Sequence, residues 1–293
     1  MSENISSWRK EIAPYVRGCP DPKIDEKVID ICRDLCKRTR LWRKNLTAID
    51  VIAVTASDIA MVNGTSCTIT STSTDFTDVA GDSTDLTFVA GQKVVIENTD
   101  DNDKEVTIAS GGVAANTLTL ETRDVLIDES AGNSVVLSAA DYALTSTDGD
   151  ISEVLRASHD GLDMKPESEE YLDRLEPGWR DMVISDPTRY IVGQDRRIRL
   201  VYAPNEELIA GLVVNVALMP LRTATTVEDF LYDDFKDIIT HGVLWLLKSL
   251  PDMPFSDNKD ALGYYNLYRS ELKGAFYHGE RGYSKANSGG IRA

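Results

Sequence analysis

Histidine and cysteine are scarce in this chain, and they supply most of the side chains proteins use for nucleophilic and transition-metal chemistry. The three histidines, His159, His241 and His278, lie far apart, and none sits in a motif pairing it with a nucleophile. Four cysteines, Cys19, Cys32, Cys36 and Cys67, are too few to make a disulfide framework in 293 residues. Cys32 and Cys36 share one face of a predicted helix. With so few histidines to complete a metal site, they read as buried free thiols, which behave as small hydrophobes. No P-loop, Gly-x-Gly-x-x-Gly, His-Glu-x-x-His or Gly-x-Ser-x-Gly pattern occurs. The expectation is therefore no catalytic set, no metal and no cofactor. Long apolar runs are missing too. The longest, 208–219, is broken by Gly211 and Asn215 and falls short of the ~18 residues a membrane helix needs. The first residues show no basic segment leading into an apolar one. Neither a signal peptide nor a membrane association is expected, and assembly in a cytoplasm is.

Positive charge is also short. The net charge is −17, and it is uneven. Residues 57–141 carry 15 acidic and three basic side chains, a net of −12. Residues 1–56, with 11 basic and eight acidic, and residues 263–293, with five and two, are each +3. Gripping nucleic acid over a broad surface demands a basic footprint, which this distribution does not offer.

What is present is a change of texture along the chain. Apolar or small residues at Ile24, Val28, Ile31, Leu35, Thr39 and Trp42 predict a helix over 22–42. Asp21 is the expected N-cap, and Pro22 the first helical residue. From 57 to 141 there is no Trp, Pro or Tyr. Short β-prone runs recur there at 67–70, 86–89, 93–97, 106–109, 117–120 and 134–138, the pattern of a small sandwich or barrel. Hairpins are expected around His159-Asp160-Gly161 and around Gly193-Gln194-Asp195, and a buried strand over 208–219. Thr226 with Asp229 resembles a capping box opening a helix to about 249. A last helix starts near Asp257 with Ala261, Tyr265, Tyr268, Leu272 and Phe276 on one stripe. Beyond His278 the chain is too glycine-rich and polar to fold alone. The expected fold class is α+β: a helical bundle with antiparallel strands and hairpins, plus an inserted all-β sandwich or small barrel. Its parts are a first half (1–56), the insert (57–141), a second half (142–278) and a flexible basic tail (279–293).

Several clusters invite a functional reading. Asp101-Asn102-Asp103-Lys104-Glu105 alternates oxygen ligands as Ca²⁺ requires, but lacks the glycine and distal glutamate of an EF-hand. It reads as a solvated hairpin tip. The acid pairs Glu169-Glu170, Glu206-Glu207 and Asp233-Asp234 read as solvated surface, since nothing suggests a cleft that would shift a pKa. Arg196-Arg197-Ile198-Arg199 reads as a charged strand face. His241 reads as a packed histidine and His159 as a turn residue.

The order of short motifs resembles one family. Pro14-Tyr15-Val16, Cys19-Pro20-Asp21-Pro22, Cys36 with Arg38-Thr39, and Leu41-Trp42 resemble the opening of head-to-tail adaptor (connector) proteins of tailed bacteriophages. The likeness continues through Asp160-Gly161-Leu162, Pro177-Gly178-Trp179, Asp186-Pro187-Thr188-Arg189-Tyr190 and Arg197-Ile198-Arg199-Leu200. Met219-Pro220, His241-Gly242-Val243-Leu244 and the segment from Leu250 to Ser256 complete it. It covers roughly 11–56 and 142–283. The 57–141 block resembles small all-β modules of phage virion proteins and departs from the plain adaptor pattern. The resemblance implies a structural virion protein and not an enzyme. It implies a homo-oligomeric ring, typically of twelve, in the head–tail neck, with portal and tail or nozzle proteins as partners. Viral DNA passes through such a ring without tight binding. Competing expectations are a tail terminator, a baseplate component, or a module that binds glycan or Ca²⁺. Partner-binding residues are expected in the basic tail at Arg281, Tyr283, Lys285 and Arg292.

Overall fold

The computed structural model describes residues 2–78 and 87–281, the side chains of 278–281 excepted. Among these residues the α-helices are α1 (Arg9–Ile12), α2 (Asp21–Thr39), α3 (Glu169–Leu175), α4 (Asp229–Asp233), α5 (Lys236–Lys248) and α6 (Asn258–Arg281). The chain divides into two compact units. One comprises Met1–Lys44, Ser146–Glu153 and Val216–Ala293. The other comprises Asn45–Thr145 and Val154–Asn215.

The first unit holds every helix but α3. Helix α2 buries Ile24, Val28, Ile31, Cys32, Leu35, Cys36 and Thr39, the expected stripe. It stops where Arg40 turns left-handed at φ 53° and donates its N–H to Cys36. Trp42 therefore lies beyond the helix, though still buried. The N-cap is Pro20 rather than Asp21. Asp21 occupies the first helical position and pairs with Arg9 at 2.9 Å, a carboxylate where the helix dipole favours one. The predicted helix over 226–249 is broken. Thr226–Glu228 instead forms a strand antiparallel to Ser2–Asn4. Helix α4 follows, and α5 starts afresh after the buried Phe235, which meets Phe230 edge-on. A β-branched pair, Thr226-Val227, found a strand partner more than 200 residues away, and that partner outweighed the local capping signal. Helix α6 is capped by Asp257, whose carboxylate accepts from the N–H groups of Lys259 (3.0 Å) and Asp260 (3.1 Å).

The second unit carries a seven-stranded sheet. Its spatial order is Ala53–Ala56, Val135–Ala139, Lys93–Glu97, Lys104–Ala114, Thr117–Leu120, Thr68–Thr70 and Ala60–Val62, all antiparallel. Alternation decides its inner face: Val94, Ile96, Val106, Ile108, Leu118 and Leu120 are buried. The expected strand at 86–89 does not appear in the described part, 87–89; Leu86 lies outside the described residues. An eight-stranded sheet runs Asp141–Ala143, Arg197–Val201, Arg189–Val192, Leu162–Pro166, Asp150–His159, Leu208–Met219 and Arg43–Asn45, with Ile49–Val51 also on Leu208–Met219. The unit boundary falls inside its two longest strands. Both expected hairpins form. Asp160 and Gly161 take φ of 45° and 73°, the left-handed pair that a two-residue hairpin turn requires.

The expected architecture of a helical bundle with an inserted all-β domain is overturned. Strand outweighs helix, 34% against 29%, in several sheets, one curled as a half-barrel. The physical reason lies in what binds 57–141 to later residues of the same unit. Arg199 is buried, lays its guanidinium 4.4 Å from the Trp179 ring centroid, and donates to Glu105. Arg197 donates from Nε to the buried Asp141 at 2.6 Å, and Asp141 accepts the Lys93 N–H at 2.7 Å. The N–H of Glu105 reaches Asp181 at 2.9 Å. The arginine run read as a charged strand face is thus, at Arg197 and Arg199, an internal clamp.

Trp179 is the centre of that clamp. Leu172, Ile191 and Val201 surround it, a second guanidinium from Arg180 lies 4.5 Å from its ring centroid, and its Nε1 donates to Asp173 at 2.8 Å. Trp179→Ala is expected to cost about 3–5 kcal/mol, the usual range for emptying a buried tryptophan site. Trp179→Phe, which keeps an aromatic face under both arginines, is expected to cost clearly less. Denaturant unfolding of the two variants checks the order. Equal losses would mean that the ring face contributes little.

Candidate docking groove

Helices α2, α5 and α6 build the most concave apolar surface of the first unit. They approach closely because Gly242 on α5 has no side chain. A Cβ there would stand 2.9 Å from Ile31 of α2 and 3.0 Å from Tyr268 of α6. Further along, the larger Trp245 holds the helices apart and an open groove of about 520 Å³ results. Its floor is aromatic. The rings of Trp245 and Tyr265 lie 4.8 Å apart, and Tyr268 stacks near-parallel to Trp245 at 6.0 Å. Leu262, 62% exposed, lies at one rim, with Arg38 and Arg269 at the others. A hollow of about 250 Å³ shares Arg38 and Leu272 with the groove and adds Lys273, Phe276 and Tyr277. Phe276 is exposed, and Ala275 takes its expected place on the inner stripe.

Asp34 fixes one wall. It accepts the Tyr268 hydroxyl at 2.7 Å and the Arg38 Nε at 2.8 Å. Burial first, and then the Asp34 carboxylate, push the Tyr268 hydroxyl well above its ordinary pKa. It stays a neutral donor. Arg38 is thus compensated by Asp34, whereas Arg269 and Lys273 bring their charge to a lining that, among the described residues, contains no carboxylate. Chemically this is a seat for an apolar side chain flanked by anions: cation–π capable rings below, guanidinium and ammonium at the lip.

The second unit has a hollow of opposite character. An open cleft of about 600 Å³ is lined by Asp75, Asp78, Glu206 and Glu207, beside the strand Ala53–Ala56. That strand ends the seven-stranded sheet among the described residues.

The residues singled out from sequence fall variously. Tyr283, Lys285 and Arg292 lie outside the described residues, and Arg281 is described only as the last backbone position of α6. The basic stretch after α2 is matched by carboxylates. Arg40 pairs with Glu153 at 2.7 Å and Lys44 pairs with Asp148. At the 101–103 tip, Asp103 accepts from Thr99. Asn102 is buried and bonds Ile127 and Glu129. Among the described residues no group of three or more His, Cys, Asp or Glu is placed to hold a metal ion. Glu169 pairs with Arg180, while Glu206 and Glu207 line the acidic cleft. Cys32 and Cys36 are buried free thiols, and burial pushes the Cys36 pKa up to about 12. His241 is half-buried, bonds Glu271 at 2.9 Å and stacks on Tyr264. His159 is the last residue of its strand rather than part of the turn. It is buried, and its Nε2 has no partner. The groove itself escaped sequence reasoning, because Trp245 and Tyr265 fall on the stripes assigned to the core. The mixture of Leu262, Arg269, Lys273 and Tyr277 on the outer face of α6 was the available signal.

Two outcomes are expected. Gly242→Ala should destabilise the first unit by about 1–3 kcal/mol through overpacking at Ile31 and Tyr268, measurable by thermal unfolding. A Gly242→Ala chain as stable as the parent would show that the helices move apart freely. For His159, burial lowers the folded pKa, despite the nearby Asp160 and Asp186. The neutral ring is therefore favoured by folding. Its contribution is fully present above the unfolded value of about 6.5 and is lost as pH falls below it. His159→Gln should flatten stability between pH 7 and 5, and an unchanged slope would assign the acid sensitivity elsewhere.

Among the described residues no helix is long and apolar enough to cross a membrane. No family model matches the chain, and a search of curated proteins found no match.

Proposed function

We propose that this chain is a structural subunit of a tailed-bacteriophage neck, an adaptor that forms a ring between portal and tail and acts by assembly rather than by chemistry. One observation carries the reading. Segments that resemble head-to-tail adaptors, yet lie about 200 residues apart, serve one construction. Cys36 and Thr39 belong to the buried face of α2, and Gly242 is the point where α5 meets both α2 and α6. Phe255, in the segment after α5, is buried, and the N–H of Asp257 closes on Lys248 at 3.1 Å. In the second unit the motif residues Trp179, Arg197 and Arg199 form the clamp. These motifs are explained by packing, as expected of a part whose work is to hold shape.

Passage of DNA through such a ring requires that phosphate not be held, because each Lys or Arg contact adds salt-dependent affinity. The neutralisation of Arg38, Arg40 and Lys44 by Asp34, Glu153 and Asp148 supports this part of the reading. The net charge of −17 does so as well.

Electron microscopy of the purified chain, alone and mixed with the portal protein encoded beside it, tests the proposal. Closed rings stacked on the portal are expected, with binding to duplex DNA that is weak and barely responds to salt. A chain that forms no ring under either condition, or that binds duplex tightly at low salt and releases it at high salt, would overturn it.

A further inference from the structure

The ring reading leaves open which surfaces touch, and the charge pattern supplies an answer. A chain of net charge −17 repels its own copies. Self-association therefore needs a place where this repulsion reverses. The groove on α2, α5 and α6 is such a place, with Arg269 and Lys273 beside exposed Leu262 and the Trp245–Tyr265 floor. Its complement must be acidic and must offer an apolar side chain.

The second unit presents that combination at one corner, the turn leading into the strand Leu208–Met219. Glu206 and Glu207 are exposed on one side of it, and Ile209, an aliphatic side chain at the start of a long strand, is 57% exposed on the other. The backbone explains why. Register shifts between Leu208 and Leu212, and Ala210 is left-handed at φ 53°. Gly211 is pressed so close to Leu208 that a Cβ there would stand 2.6 Å from it. This bulge interrupts the alternation that would otherwise bury Ile209. It is held in place, since the Ala210 N–H donates to Asp50 at 2.6 Å and the Asn205 N–H to Ile184 at 3.1 Å. A strained, anchored backbone that exposes an isoleucine between carboxylates is a costly arrangement for solvent alone.

We propose that this corner docks into the groove of a second copy, with Ile209 on the aromatic floor and Glu206 and Glu207 against Arg269 and Lys273. The contact joins different surfaces of the two copies, so it is heterologous and propagates, closing a ring if the rotation allows. It rests on the adaptor reading for its biological sense, but its test does not.

The test uses two full-length variants, Arg269→Glu with Lys273→Glu (groove reversed) and Glu206→Lys with Glu207→Lys (corner reversed), followed by analytical ultracentrifugation. Wild-type chain is expected to assemble beyond dimers as concentration rises. Each variant alone should remain monomeric. Their equimolar mixture has one intact groove and one intact corner, and should stop at a 1:1 dimer. Circular dichroism matching the wild type ensures that monomeric behaviour is not unfolding. Ile209→Ser should weaken wild-type assembly at least tenfold without reversing any charge. Variants that assemble like the wild type, a mixture that stays monomeric, or a wild-type chain that never self-associates would each overturn the proposal. In the first case a ring would still form through other surfaces, and the adaptor reading would stand.

Discussion

A guanidinium buried against an indole governs how the second unit is organised. Removing Arg199 from water costs several kcal/mol unless its charge is met. Glu105 meets the charge and Trp179 meets the flat face. These partners come from residues far apart in the chain, so meeting the cost of one buried arginine fixes the strand Lys104–Ala114 and the strand Arg197–Val201 in a single structure. The arrangement leaves Nε and Nη1 of Arg199 without protein partners. The clamp thus confers specificity of pairing more than raw stability. Around it the lesser links, Arg197 to Asp141 and Arg189 to Glu176, repeat the same device with partial exposure. Glu176 shows how strongly such pairing favours the charged form. The bonds from Arg189 and Tyr202 bring its carboxyl pKa down to about 2.

The first unit depends on an absence. Gly242 lets three helices meet at van der Waals distance, and Trp245, one turn on, immediately forces them apart. Close packing and an open groove are adjacent results of one short stretch of α5. The groove's aromatic floor is held from behind by the core rather than by a loop, which keeps it preformed.

Local signals in the sequence were read well where the structure is local. The stripe from Ile24 to Thr39 produced α2, Asp160-Gly161 produced its hairpin, and the run from 208 to 219 produced its strand. They misled where a distant partner decided. Thr226 and Asp229 look like a capping box, but Thr226–Glu228 pairs with Ser2–Asn4. The β-rich composition of 57–141 suggested a self-contained insert. Nothing in the local pattern of Glu105 or Asp141 reveals that Arg199 and Arg197 wait for them. Fold class failed for the same reason: strand pairing between segments separated in sequence is invisible to periodicity. The groove was illegible because a half-buried aromatic and a core aromatic fall on the same helical stripe. The bulge that exposes Ile209 leaves only a hint, an Ala-Gly pair in an otherwise β-branched run.

The pairing of residues 2–4 with 226–228 has a consequence for synthesis. The second unit ends at Asn215, so all of its strands have been made before the C-terminal helices emerge. Helix α2, translated early, must wait with its apolar stripe uncovered until α5 and α6 arrive nearly 200 residues later. Closure of the first unit is therefore the last event in folding, and it joins the two ends of the chain. A chain cut short by interrupted translation or proteolysis can complete its sheets yet lacks the walls of the groove. Only a finished polypeptide then carries that surface, so the fold itself distinguishes whole subunits from fragments.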